Sequence, residues 1–254
     1  MFNRSDLAYC YDGTLDGFYT CVFRVYTARE IPAMIYPETE GQGTLYEIRY
    51  IDTDSEFARR VSAALKKLSA ELLRFVQEAF LTCLADKELR ILEFVMLAFQ
   101  PSVGAKAMSM LADDRVAVLQ KAVLHLVLEN QHLQGFLRFA ERNRVLTSVI
   151  EPKNYVLPLL APHFADRFPE EDFVIFDKAH GMAAFSEHGR VKYAYADSIE
   201  FAEITESEEA FQSMWKKFYK AIAIPERFNP RCRMSMMPKR FWGNMLEVAG
   251  ELNS

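Results

Sequence analysis

Apolar positions along the chain change their spacing once, separating a helical first half from a strand-rich second half. LAYCY (7–11) reads as a short strand running into the turn signal Asp12-Gly13. Phe18, Val22, Val25 and Tyr26 then recur at helical spacing. EIRYIDTD (47–54) reads as a second strand, and Thr53 with Glu56 has the spacing of a capping box at a helix start. Behind it Phe57, Val61, Leu65, Leu68, Leu72, Phe75 and Ala79 line one face of a single long helix. Further helices are predicted over 86–99, stopping before Pro101, and over 113–128, with Val116, Leu119, Val123 and Val127 on one stripe.

After that the period shortens. GFLRFAER and VLTSVIEP read as two strands joined at Asn143-Arg144, and LPLLAPHFADRF as a short helix opening near Pro158. FVIFDKA, MAAFSEH and RVKYAYA follow, split by His180-Gly181 and His188-Gly189, where glycine supplies the positive φ of tight hairpins. Thr205 and Glu208 form another candidate capping box. The helix behind it carries Phe211, Met214, Trp215, Phe218 and Ile222 on one stripe, which predicts a core-facing side. Lys216, Lys217 and Lys220 fall on the opposite face. Pro225 ends that helix, and a last short one follows Pro238.

These elements predict an α+β protein: an antiparallel sheet, a meander in the second half, packed by N-terminal and C-terminal helices. No linker-like stretch interrupts it, so the expectation is one domain over 1–254. Within it 1–130 is helix-rich, 131–200 strand-rich and 205–250 a basic helical segment.

Half the residues are hydrophobic, which suffices for a sizeable core and argues against disorder. No signal peptide or 18-residue apolar span is visible, so a cytoplasmic location without membrane insertion is expected. Cys10, Cys21, Cys83 and Cys232 are scattered and form no C-x-x-C pair or zinc spacing. Reduced thiols, no bound metal, no iron–sulfur cluster and no other cofactor are therefore expected.

Charge changes the picture near the C-terminus. Residues 211–242 hold Lys216, Lys217, Lys220, Arg227, Arg231, Arg233, Lys239 and Arg240 against Glu226 alone. Eight bases against one acid give +7 in a chain of formal charge −5. Trp215, Phe218, Tyr219, Phe228, Phe241 and Trp242 are interleaved. The pattern suits a polyanion, with phosphates neutralised by the cations and bases stacked on aromatic or Arg faces. The plain alternative is a solvated basic helix and tail. In P-K-R-F-W (238–242), Phe241 and Trp242 either stack on a base or staple the last helix to the core.

Weaker chemistry is scattered elsewhere. His132, Gly135, Phe136, Arg138 and Phe139 form H-x-x-G-F-x-R-F. One reading opens a strand at Gly135 and makes His132 and Arg138 phosphate or base contacts. The other makes His132 a helix C-terminal residue, Gly135 its cap and Arg138 a surface group. Asp12 and Asp16 either act as an acid–base or metal pair or stabilise a turn. His163, with Asp166 and Arg167 on the same turn, is an acid–base candidate or a surface salt-bridge group. His180 and His188 read as hairpin-turn residues, and His125 as a helix residue at the core edge. No G-x-S-x-G setting or glycine-rich phosphate loop is present.

Four blocks together resemble a known family: YDGTLDGFYTCVF (11–23), ENQHLQGFLRFAER (129–142), VLPLLAPHFADRFP (156–169) and WKKFYKAIAIPERFNPRCRMSMMPKRFW (215–242). They look like the bacterial "probable DNA metabolism protein" family, a domain of unknown function described as a DNA repair or modification protein. The resemblance implies DNA and a radical S-adenosylmethionine protein as partners. A similar domain occurs fused to a uracil-DNA glycosylase-like domain. This chain carries neither that domain nor a C-x-x-x-C-x-x-C motif, so either chemistry would come from a partner. The reading is therefore a DNA-binding accessory protein. Its interface would comprise Arg138, Lys216, Lys217, Lys220, Arg231, Arg233, Lys239 and Arg240. The rivals are an enzyme acting on a DNA base through His132, His163 or Asp12, and a protein–protein adaptor.

Overall fold

The apolar run at residues 7–11 becomes the central strand of a small parallel sheet. In the computed structural model, which describes residues 2–40, 43–222 and 229–248, the chain divides into two units, 1–126 and 127–254. The first begins β1 (Asn3–Arg4), β2 (Leu7–Tyr11), α1 (Leu15–Ala28), β3 (Glu30–Ile31), β4 (Met34–Pro37) and β5 (Glu47–Tyr50). Its main sheet has the order β4-β2-β5 and both pairings are parallel. β1 pairs with β3, also in parallel. The half expected to be mainly helical thus holds a parallel β-α-β arrangement. MIYP is only four residues long and ends on proline, too short for its alternation to show.

Helices α2 (Ser55–Leu68), α3 (Ala70–Phe80) and α4 (Lys87–Ala98) complete this layer. The long apolar stripe predicted over 57–79 is two helices. Ser69 adopts φ −167° and ψ 139°; its amide donates to the Leu65 carbonyl and its hydroxyl accepts from the Glu71 amide. It closes α2 and caps α3, so the stripe continues while the helix does not. The α2 cap is Asp54, accepting from the amides of Glu56 (2.8 Å) and Phe57 (3.1 Å). Thr53 is not the cap: its hydroxyl donates to Asp12 Oδ2 at 2.7 Å. Phe18, Leu65, Leu72, Ile91, Leu92 and Phe94 are fully buried in the core.

Helix α5 (Asp114–Phe136) carries the chain into the second unit. There β6 (Ala140–Arg142), β7 (Val145–Ile150), α6 (Leu157–Arg167), β8 (Phe173–Asp177), β9 (Met182–Glu187) and β10 (Arg190–Tyr195) follow. The sheet runs β10-β9-β8-β7-β6. Asn143 and Arg144 both take positive φ in the predicted tight turn, as do His188 and Gly189. The fold is α+β as expected, but this sheet is mixed: β7 and β8 pair in parallel. The reason is α6. A helix between two strands is a crossover, which returns the chain parallel. Phe139 meets Phe164 and Phe173 at 5.2 and 5.7 Å, and Leu157, Leu160, Phe173 and Ile175 are fully buried.

The unit closes with α7 (Glu206–Ile222), α8 (Pro230–Met236) and a 3-10 turn at Lys239–Asn244. Thr205 Oγ1 accepts from the Glu208 amide at 3.2 Å, as the candidate cap requires. The α7 stripe does not form core: Phe211, Met214, Phe218 and Ile222 are 52–60% exposed. Periodicity establishes that a helix has an apolar face, not that something covers it. The predicted stop at Pro225 lies outside the described residues. Among the described residues no helix is long and apolar enough to cross a membrane.

Gly17 gives the first test. It sits in the first turn of α1, where alanine normally stabilises by about 1 kcal/mol. Here an added Cβ meets Asp12 Oδ1 at 2.2 Å, Thr53 Oγ1 at 2.8 Å and Tyr11 Cδ2 at 2.9 Å. Gly17→Ala is expected to destabilise by about 1–3 kcal/mol in urea denaturation. A stabilised variant would show that this junction yields without cost.

Candidate functional site

The C-terminal half of α5 places Glu129, His132 and Phe136 on one side, at helical spacing. Glu129 is 1% exposed. Its carboxylate accepts from the Lys153 amide (3.0 Å), the Asn154 amide (2.9 Å) and Asn154 Nδ2 (2.6 Å). Arg240 Nη1 lies 3.1 Å from its Oε1. His132 stacks on Phe136 at 5.6 Å and 12°, with Phe241 also 5.6 Å away. Its Nδ1 is buried without a hydrogen-bond partner among the described residues. Gly135 lies within the last turn of α5, so it neither opens a strand nor caps the helix.

Arg138 performs the capping. Its Nη1 donates to the carbonyls of Gly135 (2.9 Å) and Leu137 (3.1 Å), and its Nη2 to Glu247 Oε1 (2.6 Å). Guanidinium donors at a helix C-terminus satisfy carbonyls that the helix itself leaves open. The Glu247 side chain is 4% exposed, so this is a largely desolvated pair. The structure thus brings together three residues proposed from sequence, His132, Arg138 and Arg240. It couples both arginines to acids, Glu247 and Glu129, which the sequence pattern did not single out. The signal was available: each is an acid beside a basic aromatic motif.

Phe241 and Trp242 are 7% and 5% exposed. Trp242 Nε1 donates to the Met237 carbonyl at 2.9 Å. Arg233 and Lys239 lie 4.8 and 5.7 Å from the Trp242 ring centre. Both rings therefore staple the terminal turn, and their faces are not open for stacking. Lys216, Lys217, Arg231 and Lys239 are exposed. Among the described residues no ion pair engages Lys216, Lys217 or Arg231. The side chain of Lys220 and all of Arg227 and Phe228 lie outside the described residues.

The remaining candidates stand apart from this cluster. His163 is half-buried on α6, its ring edge-on to Phe164 at 5.2 Å. No ion pair joins it to Asp166 among the described residues. Asp12 belongs to the first unit and builds the β2–α1 turn. Its Oδ1 accepts from the Thr14 amide (2.9 Å) and hydroxyl (2.7 Å). Burial alone would raise its carboxyl, yet hydrogen bonds from Thr53 and Thr14 hold it below the usual carboxylate range. Asp16 lies in the first turn of α1. Among the described residues no group of three or more His, Cys, Asp or Glu is placed to hold a metal.

One imidazole read as a turn residue is built more deliberately. His180 Nδ1 lies 2.7 Å from Oδ2 of Asp177, a carboxylate whose side chain is 1% exposed. Asp177 Oδ1 also accepts from the amides of Ala179 and His180, and the Tyr155 ring covers the imidazole at 3.9 Å. This dyad follows the carboxyl end of β8, beside the carboxyl end of its parallel neighbour β7. Ligands in open α/β sheets favour such ends.

The model of a family described as a domain of unknown function, DUF4130, matches residues 85–247, more than half the chain. No curated protein is recognisably similar to it.

Breaking the Arg138 pair tests the architecture of the seam. Arg138→Ala leaves Glu247 buried without its cation, at a cost of about 2–4 kcal/mol in chemical denaturation. Combining Arg138→Met with Glu247→Leu should recover most of that loss, because the stranded charge is gone. A single variant as stable as the parent would mean that the pair contributes nothing.

Proposed function

The chain belongs to the DUF4130 family, and from that premise we propose that it is a DNA-binding accessory protein of DNA repair or modification. In this reading it works beside a radical S-adenosylmethionine protein, which supplies the chemistry. The observation that carries the reading is a division of labour among the cations. Arg138 and Arg240 are engaged by Glu247 and Glu129. Lys216 and Lys217, on the polar side of α7, and Arg231 at the start of α8 are exposed and not ion-paired among the described residues. Lys239 is exposed as well. Cations of this kind attract phosphates and release counterions on contact.

A second reading, an enzyme acting on a DNA base, draws support from Asp177 and His180. A buried carboxylate accepting from Nδ1 fixes one tautomer and leaves Nε2 free to take a proton. His132 fits that role less well, with its ring between Phe136 and Phe241. The adaptor reading requires an acidic protein in place of DNA.

Fluorescence anisotropy with labelled single- and double-stranded DNA tests the first reading. Affinity should fall steeply as salt rises. Reversing Lys216, Lys217 and Lys220 to Glu should weaken binding about tenfold or more and lower the salt slope by about two to three. Unchanged binding by the folded triple variant would remove α7 from the interface. Incubating the isolated protein with uracil-containing, alkylated and ultraviolet-damaged DNA tests the second. Released base or strand nicks, abolished by His180→Ala, His132→Ala or His163→Ala, would overturn the accessory reading.

A further inference from the structure

The second unit contains a pocket that none of the exposed cations Lys216, Lys217, Arg231 and Lys239 lines. It has a volume of about 310 Å³ and lies at the β6 edge of the mixed sheet. Arg142 and Thr147, on one face of the β6–β7 pair, form its sheet side, and Phe201, Gln212 and Asn244 line it from the later segments. That volume is at the low end of pockets that enclose a small ligand, and too small for a stretch of duplex. Among the described residues none of its walls is a carboxylate.

Its polar groups are oriented but incompletely used. Arg142 Nη1 donates to the Ala202 carbonyl, and the guanidinium lies 5.8 Å from the Phe201 ring centre. These contacts hold the group in place while its Nε is buried without an acceptor among the described residues. No ion pair engages Arg142 among the described residues. The Nε–Nη2 edge of a guanidinium is a two-donor fork that matches an oxyanion. Gln212, which lines the pocket, donates Nε2 to Glu208 at 2.8 Å. The walls thus combine an unneutralised fork, aromatic rings and neutral hydrogen-bonding groups.

We propose that this pocket takes a single nucleotide of a nucleic-acid chain, with its phosphate on the Arg142 fork and its base against Phe201. The assignment rests on the nucleic-acid reading and deepens it: the exposed lysines hold the strand, and one nucleotide leaves the stack to enter the pocket. Extrusion is cheapest for a damaged, mismatched or unpaired position, so such a pocket selects those positions. Phosphate alone does not account for the rings, and a neutral aromatic ligand does not account for the fork.

Isothermal titration of the full chain with thymidine 5′-monophosphate, deoxyadenosine 5′-monophosphate, thymidine and inorganic phosphate tests this. The monophosphates should bind about tenfold or more tightly than thymidine or inorganic phosphate. Arg142→Gln should bring the nucleotide down to the affinity of the nucleoside. Phe201→Ala should bring it down to that of inorganic phosphate. Gln212→Leu, at a half-buried residue of the pocket wall, keeps the test open should Arg142→Gln fail to fold, and is expected to weaken nucleotide binding several-fold. Inorganic phosphate binding as tightly as the nucleotides would overturn the assignment, as would variants that bind like the parent. Salt-dependent DNA binding without any nucleotide binding would overturn the pocket alone and leave the accessory reading standing. Nucleotide binding that survives the triple lysine reversal would support the pocket independently of α7.

Discussion

A buried carboxylate cannot stay charged without a partner, and in the second unit two of them determine how the C-terminal segment is held. Glu129 and Glu247 are each nearly excluded from solvent. Glu129 receives three hydrogen bonds from Lys153 and Asn154 and the Arg240 guanidinium besides. Glu247 receives Arg138, which also closes the end of α5. The two pairs run in opposite senses. Glu129 on α5 holds an arginine of the C-terminal turn, and Glu247 of the C-terminal segment holds the arginine that ends α5. Such reciprocal pairing fixes register more than it adds stability, because desolvation offsets much of the attraction. Phe241 and Trp242 follow from it: once Arg240 is tied to Glu129, the next two side chains have the core on their inner side.

That arrangement explains why charge counting reads the C-terminal segment only in part. A net charge treats every arginine as available, and here the pairing with Glu129 engages Arg240. The lysines differ in kind. Their ammonium groups are strongly hydrated and stay at the surface, whereas the guanidinium, planar and less hydrated, suits buried pairing. Within the segment Arg240 is tied to Glu129, whereas Lys216, Lys217 and Arg231 are exposed and make no ion pair among the described residues.

The fold was legible wherever its signal was local. The turns at Asn143-Arg144 and His188-Gly189, the α4 helix and the strands β8 to β10 follow from short-range spacing and turn chemistry. What depended on distant residues was not. The parallel pairing of β7 and β8 is decided by α6 lying between them, and β4 is visible only once β2 is there to pair with. Thr53 has the spacing of a cap but serves Asp12, 41 residues away. Asp54 takes the cap in its place. The sequence left Asp12 either as chemistry or as a turn residue, and its carboxylate accepts from Thr14 and Thr53, joining the β2 and β5 loops.

The α7 helix shows the converse. Its existence needs little from the rest of the protein: a capping threonine, acidic residues in the first turn against the helix dipole, and a run of helix-compatible residues. Its apolar stripe would ordinarily be what holds it down, and of that stripe only Trp215 is half-buried while Phe211, Met214, Phe218 and Ile222 are open. A helix stabilised from within and bound lightly by its surroundings presents two faces at once, one cationic and one apolar. The cationic face suits phosphates. The apolar face, rich in Phe and Met, is the kind of surface that adapts to a protein partner. In the proposed accessory reading the protein would hold nucleic acid and an enzyme together, and a helix with these two faces would let each contact form without obstructing the other.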